Sequence, residues 1–241
     1  MKEKQTIEKR KFFLLITFLF LTTYVTSQTF KKVYYQDISI LGSNLFTIED
    51  IVANTSLNFP TPLIFVKTTY TEKELKKNLS LENVSVLRQI FPFGLKILIK
   101  TRKPIAYGER ILKGRKITGF VDDDGYFINE EFSDQENLKK LSSKVFGWKE
   151  NFRETLSIIL NYQKDNDVEF ITINLSQNGF LTLEEKNLKT ILLGFNQKII
   201  ETQLQKINDL KNQLKGKLIL EKVDAIDLID PNNPRIKVFK P

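Results

Sequence analysis

Two short runs in this sequence carry side chains of the kind that hold ions or attack carbonyl groups: Asp122-Asp123-Asp124-Gly125 and Ser142-Ser143-Lys144. Three consecutive carboxylates invite a cation. A calcium loop, however, needs about six or more oxygens and a distal Glu at loop spacing, and that layout does not follow Asp124. Asp and Gly suit the backbone of a hairpin turn, so a turn is the better reading of the acidic run. A Ser-Lys nucleophile needs its amine placed against the hydroxyl in space, and adjacency along the chain does not provide that geometry. The wider composition closes more routes, because the chain has no His and no Cys. The usual general base near neutral pH and the commonest metal ligand are thereby missing, as are thiol nucleophiles and thiolate zinc sites. Carboxylate-only chemistry survives. We therefore expect no catalytic residue, no metal ligand and no cofactor.

A third run points to binding instead. Ile236-Lys237-Val238-Phe239 reads as the last strand of this sequence, and a last strand tends to lie at a sheet edge, where its unpaired N–H and C=O groups offer a partner segment a place to add. Lys237, Lys240 and Pro241 are the competing signal, since such residues also protect an edge.

The elements that must position these runs fall into three parts. Residues 12–30 are uncharged and mostly apolar, bounded by Lys11 and Lys31. At about 1.5 Å per residue they reach roughly the thickness of a hydrocarbon core. Lys2, Lys4, Lys9, Arg10 and Lys11 precede this stretch, while Lys31 and Lys32 are the only basic residues between it and Lys67. The positive-inside rule puts the N-terminus in the cytoplasm. A cleaved signal peptide is the competing reading, with Val25-Thr26-Ser27 as a tolerable cleavage site. Either way, residues 31–241 are exported. The formal charge of +8 is spread along the chain without a nucleic-acid-binding motif, so we expect no nucleic acid partner.

Residues 33–41 read as a strand and Gly42-Ser43-Asn44 as a turn. Thr47 caps a short helix, with Asp50 in the reciprocal role. Thr71 with Glu74 predicts a second capping box opening a helix over 72–78. Strands at 84–91 and 95–101, joined by Pro92-Phe93-Gly94, form a hairpin. The order is strand, helix, helix, strand, strand. From residue 116 onward, strands are expected at 117–121, 126–128, 168–175, 180–183, 189–192 and 217–223. One helix carries Phe152, Leu156, Ile159 and Leu160 on a face; another carries Ile200, Leu204, Ile207, Leu210 and Leu214 and stops at Gly216. The chain closes with residues 225–230, a Pro231-Asn232-Asn233-Pro234 turn and a final strand over 236–239.

A span followed by strand, two helices and a hairpin resembles a POTRA domain set directly outside an inner membrane, and Ile38-Ser39-Ile40-Leu41-Gly42-Ser43-Asn44 is similar to its opening strand and turn. Arg102-Lys103-Pro104-Ile105-Ala106 resembles the signature that ends that module in the FtsQ/DivIB family of cell-division proteins. Residues 120–127, with Asp122 and Gly125, resemble that family's hairpin into a second, β-rich domain. Leu193-Gly194 matches a pair before a long helix, and Ile226-Asp227-Leu228 resembles the start of the C-terminal hairpin. Thr101 and Ile229 depart from the pattern, standing where an acidic and a basic residue are usual.

The resemblance implies an α+β chain: a cytoplasmic tail (1–11), a transmembrane helix (12–30), a POTRA domain (31–105) and a C-terminal β domain with an antiparallel sheet and packed helices (106–241). It also implies a non-enzymatic, single-pass inner-membrane scaffold at the division septum, linking early and late division proteins. Its partners would be bitopic proteins of the FtsB and FtsL (DivIC) type, held by strand addition at Ile236, Lys237, Val238 and Phe239, with no small-molecule substrate. Gly42, Arg102, Pro104, Asp122, Gly125, Gly194 and Asp227 would serve structure. Two other readings stay open: a different POTRA-bearing factor for secretion or outer-membrane assembly, and a membrane-anchored cell-wall hydrolase using carboxylates.

Overall fold

The computed structural model describes residues 2–133, 141–166, 168–214 and 223–238, and its contacts divide the α+β chain into two units, Met1–Thr101 and Arg102–Pro241. The sequence reading put this boundary at 105/106.

The first unit begins with helix α1 (Lys2–Phe30). Its segment Arg10–Phe30 is 21 residues long and none of it is buried, so by length and composition it can cross a membrane. Threonine hydroxyls in this stretch find acceptors within the helix: Thr17, Thr23 and Thr26 donate to the carbonyls of Phe13, Leu19 and Thr22 at 2.8–2.9 Å.

Beyond α1 the strand expected over 33–41 is broken in two. β1 (Lys32–Val33) is followed by a 3-10 turn at Tyr35–Asp37 and then β2 (Ile38–Leu41). Asp37 accepts a hydrogen bond from the Tyr34 N–H at 2.9 Å, which folds the backbone into the turn and ends β1. α2 (Ile48–Ala53) follows, then β3 (Thr61–Pro62), which pairs antiparallel with β1. α3 (Thr68–Asn78), β4 (Asn83–Gln89) and β5 (Gly94–Lys100) complete the unit. β5 lies in the middle of a three-stranded sheet, parallel to β2 and antiparallel to β4. A parallel first strand requires a long crossover, and α2 and α3 supply it. Ile51, Leu75 and Leu79 of the helical segment are buried, as are Val84, Val86, Ile97 and Ile99 of the strands.

The first capping box is formed: the Thr47 hydroxyl accepts from the Asp50 N–H at 3.2 Å and Asp50 accepts from the Thr47 N–H at 2.8 Å. The second is not. Thr71 sits inside α3, one turn past its start, and its hydroxyl donates to the Lys67 carbonyl at 3.1 Å. Glu74 instead accepts from the N–H and hydroxyl of Ser56 in the loop after α2, a partner that sequence spacing does not reveal. Thr47→Ala is expected to cost about 1 kcal/mol. The Thr47 N–H and hydroxyl hold the Asp50 carboxyl below its ordinary value of 3.8. Its contribution to stability is thus present above that value and lost as pH falls through the lower folded value. In Thr47→Ala the Asp50 titration, followed by NMR, should move back up.

The second unit holds one nine-stranded sheet. Its strands are β6 (Ala106–Leu112), β7 (Arg115–Val121), β8 (Phe127–Asn129), β9 (Lys144–Phe146), β10 (Phe170–Leu175), β11 (Leu181–Glu185), β12 (Lys189–Gly194), β13 (Val223–Asp227) and β14 (Arg235–Val238). The expected antiparallel sheet is in fact mixed. β9 runs parallel to both β6 and β10, and β12 runs parallel to β13. For β9–β10 and β12–β13 the cause is the helix between the two strands, α4 (Arg153–Asp165) and α5 (Ile200–Leu214) respectively, which carries the chain back across the sheet. In β10 to β13 buried residues such as Phe170, Ile173, Leu183, Ile191 and Ile226 alternate with more exposed ones, and α4 and α5 share one core with the buried set. All five apolar positions expected on the second helix are buried in that core. Gly216 and most of the strand expected at 217–223 lie outside the described residues.

Candidate partner-binding edge

The spatial order of the sheet is β14-β13-β12-β11-β10-β9-β6-β7-β8, so β14 forms one of its two edges. It is joined to β13 by residues 228–234, within which Asp230 organises the turn. The Asp230 carboxylate accepts from the Asn232 N–H at 3.0 Å and the Asn233 amide at 2.8 Å. These bonds, the side-chain amide foremost, hold the Asp230 carboxyl below its ordinary value. Asp227 stands opposite Arg235 in the ladder and accepts from the Ile229 N–H at 3.1 Å, turning the chain out of β13. Asp227, Ile229, Asp230, Asn232, Asn233, Pro234 and Arg235 line a shallow groove of about 700 Å³ at this end.

Every residue of β14 is exposed. Ile236 and Val238 keep 38% and 45% of their surface open, although both are apolar and both are paired, opposite Ile226 and Val223. In β13 those facing residues are fully buried. The strand thus presents an outer backbone edge flanked by Arg235, Ile236, Lys237 and Val238, the geometry that main-chain recognition uses. Phe239 lies outside the described residues.

The other sequence-predicted positions gather at the start of the second unit. The side chains of Arg102 and Asp122 are buried, 5% and 3% exposed, and Arg102 Nη1 donates to Asp122 Oδ2 at 2.5 Å. Asp122 Oδ1 accepts from the Tyr126 N–H at 2.7 Å. The Arg102 guanidinium also stacks 3.6 Å from the Tyr126 ring centroid, with Arg153 4.3 Å from the same centroid. Burial pushes the Asp122 carboxyl above its ordinary value, while Arg102 and the Tyr126 N–H pull it back.

Gly125 closes this turn with φ +75°, and any Cβ there would run into the carbonyl oxygen of Arg153. Its own carbonyl accepts from the indole N–H of Trp148 at 2.8 Å. The carboxylates of Asp122, Asp123 and Asp124 lie within 4.8 Å of one another, but both oxygens of Asp122 are committed to Arg102 and the backbone. The run therefore works as a turn that ties β7 to β8, as its Asp and Gly content suggests. Pro104 lies between β5 and β6, half-buried. Gly42, at φ +97°, follows β2, where a Cβ would strike the carbonyl oxygen of Ile99. Gly194 ends β12 at φ +81°, where a Cβ would press on the Ile229 side chain.

Ser142-Ser143-Lys144 leads into β9, which begins at Lys144. Ser142 and Lys144 are exposed, whereas Ser143 is buried and donates to the Phe170 carbonyl at 2.8 Å while accepting from the Gln163 amide at 3.0 Å. Gln203 was not singled out by the sequence at all. It is fully buried on α5, and its amide donates to the carbonyls of Leu193 at 2.8 Å and Leu228 at 2.7 Å. It thereby clamps the ends of β12 and β13 beside the groove. Its place three residues after Ile200, on the apolar stripe, is the signal that marks it. A scan against protein-family models gives no match for this chain, and a search of the curated proteins gives none either.

Proposed function

We propose that this chain is a bitopic scaffold of the FtsQ/DivIB type, anchored in the inner membrane by α1, with its N-terminus cytoplasmic and residues 31–241 outside. The observation that carries the reading is the open edge at β14, backed by an apolar groove-side residue, Ile229, and clear of any covering element among the described residues. The sheet order β2-β5-β4 with two helices in the crossover also supports it, because that is the arrangement expected of a POTRA domain. In this reading the second unit captures an extended segment of FtsB- or FtsL-type division proteins as an additional strand, and the anchor keeps the pair concentrated at the septal membrane. The protein does no chemistry of its own.

The test exploits strand parity. In an antiparallel edge strand, successive N–H groups point alternately into the sheet and away from it. Ile236 and Val238 share one parity and Lys237 has the other. Proline at an outward-donating position removes a bond only to the partner; at an inward one it breaks the β13–β14 ladder. Single proline substitutions at 236, 237 and 238 should therefore separate. One parity loses co-purification of FtsB and FtsL homologues by at least about tenfold, equivalent to ~1.4 kcal/mol, with an unchanged urea midpoint. Equal capture by all three variants would remove this edge, and with it the reading.

A further inference from the structure

The apolar side chains left open in the first unit include a pair that the fold holds out deliberately. Leu63 and Val66 are buried, yet Ile64 and Phe65 between them face solvent, Phe65 with 66% of its surface exposed. This 3-10 turn, Leu63–Phe65, is tethered on both sides. The Leu63 N–H donates to the Lys31 carbonyl at 3.0 Å, one residue past the end of α1. On the other side the Arg88 guanidinium forks onto the Val66 carbonyl, Nε at 3.1 Å and Nη2 at 2.6 Å. The β1–β3 ladder, Lys32 opposite Pro62 and Val33 opposite Thr61, fixes the same two segments side by side. Residues 26–36 and 51–71 contain no Asp or Glu, while Lys31, Lys32 and Lys67 within them are exposed.

We infer that the Leu63–Phe65 turn is a second, shallow contact with the bilayer that α1 crosses, an inference that rests on the membrane reading of α1. An element hydrogen-bonded to the residue leaving a transmembrane helix lies at the depth of the lipid headgroups. There an exposed aromatic beside aliphatic and lysine side chains is the composition that partitions into the interface. Ile64 and Phe65 enter the boundary between headgroups and acyl chains, and Lys31, Lys32 and Lys67 meet the lipid phosphates. The occupant of this patch is the lipid surface itself, because the bond from the Leu63 N–H to the Lys31 carbonyl sets the turn where α1 leaves the bilayer. The contact would hold the first unit at a set tilt on the membrane.

The chain has one Trp, the buried Trp148, so a second Trp reports its own surroundings over a constant background. The full chain is reconstituted in vesicles of phosphatidylcholine and phosphatidylglycerol containing lipids brominated along the acyl chain. Three variants are compared: Phe65→Trp, Leu19→Trp within α1, and Lys77→Trp at the far end of α3. The expected order of quenching is Leu19→Trp, then Phe65→Trp, then Lys77→Trp, with Phe65→Trp several-fold above Lys77→Trp and reduced to that level by adding Ile64→Asp. Quenching at Phe65→Trp no greater than at Lys77→Trp, with Leu19→Trp strongly quenched, would overturn the inference alone. Loss of quenching at Leu19→Trp as well would overturn the membrane reading beneath it.

Discussion

Arg102→Met is expected to destabilise the second unit by about 3–5 kcal/mol at neutral pH, the scale seen when one partner of a buried ion pair is removed. Met fills much the same space, so the loss is electrostatic: the Asp122 carboxylate stays buried and keeps only the Tyr126 N–H. The pH dependence gives the mechanism away. Burial already raises the Asp122 carboxyl, and Arg102 opposes that rise. Without Arg102 the folded value climbs further above the unfolded one. A raised folded value means that the native state binds more protons between the two values, so stability is present below the unfolded value and lost as pH rises through the folded one. The deficit of Arg102→Met should therefore shrink on acidification from pH 7. Urea unfolding of the detergent-solubilised chain, followed by Trp148 fluorescence, measures it. A deficit that does not change with pH would mean that packing against Tyr126, and not charge, is what Arg102 supplies.

The second large effect is expected at Gln203. Gln203→Ala leaves the buried carbonyls of Leu193 and Leu228 without their donor, and each buried acceptor left unpaired costs about 1–3 kcal/mol. The loss is partly offset because the buried Gln203 Oε1 has no hydrogen-bond partner among the described residues and its burial penalty disappears with it. A net cost of about 2–4 kcal/mol follows. The same urea titration reads the stability, and co-purification reads the consequence at the edge. Loosened ends of β12 and β13 should weaken partner capture although Gln203 itself is fully buried. Capture unaffected by a clearly destabilised variant would separate this clamp from the edge.

Both residues show where sequence reading stops. Long amphipathic periods were legible: the stripe from Ile200 to Leu214 needs no knowledge of the fold, since five apolar residues at helical spacing must share a face. The cap at Thr47 was legible because both of its bonds are local. Arg102 and Asp122 could be noticed as motif members, but their union spans twenty positions and depends on the turn at Gly125. β9 was missed for a related reason. It has three residues, of which Val145 alone is buried, and both its partners run parallel to it from distant parts of the chain. β6 hides behind a Gly and two charged residues, which dilute its alternation. Thr71 misled because a threonine three residues before a glutamate fits a cap equally well whether or not the preceding Thr68, Thr69 and Tyr70 continue the helix.

The missed strand has a mechanical side. β6-β7-β8 and β10-β11-β12 are each antiparallel blocks built by short connections, and β9 is the strand that joins them within the sheet. That seam comprises three residue pairs with β10 and two with β6, reinforced by Ser143 bridging to Phe170 and Gln163. The chain enters this unit at Arg102, before β6, while β14 is an edge strand on the far side of β9, so on the proposed reading a pull on a segment held by β14 would load the β9 ladders together with the bonds from α4 to Asp123. A load directed across the strands would test the ladders of such a sheet one at a time, and the two-pair ladder of β6 with β9 is the shortest among them.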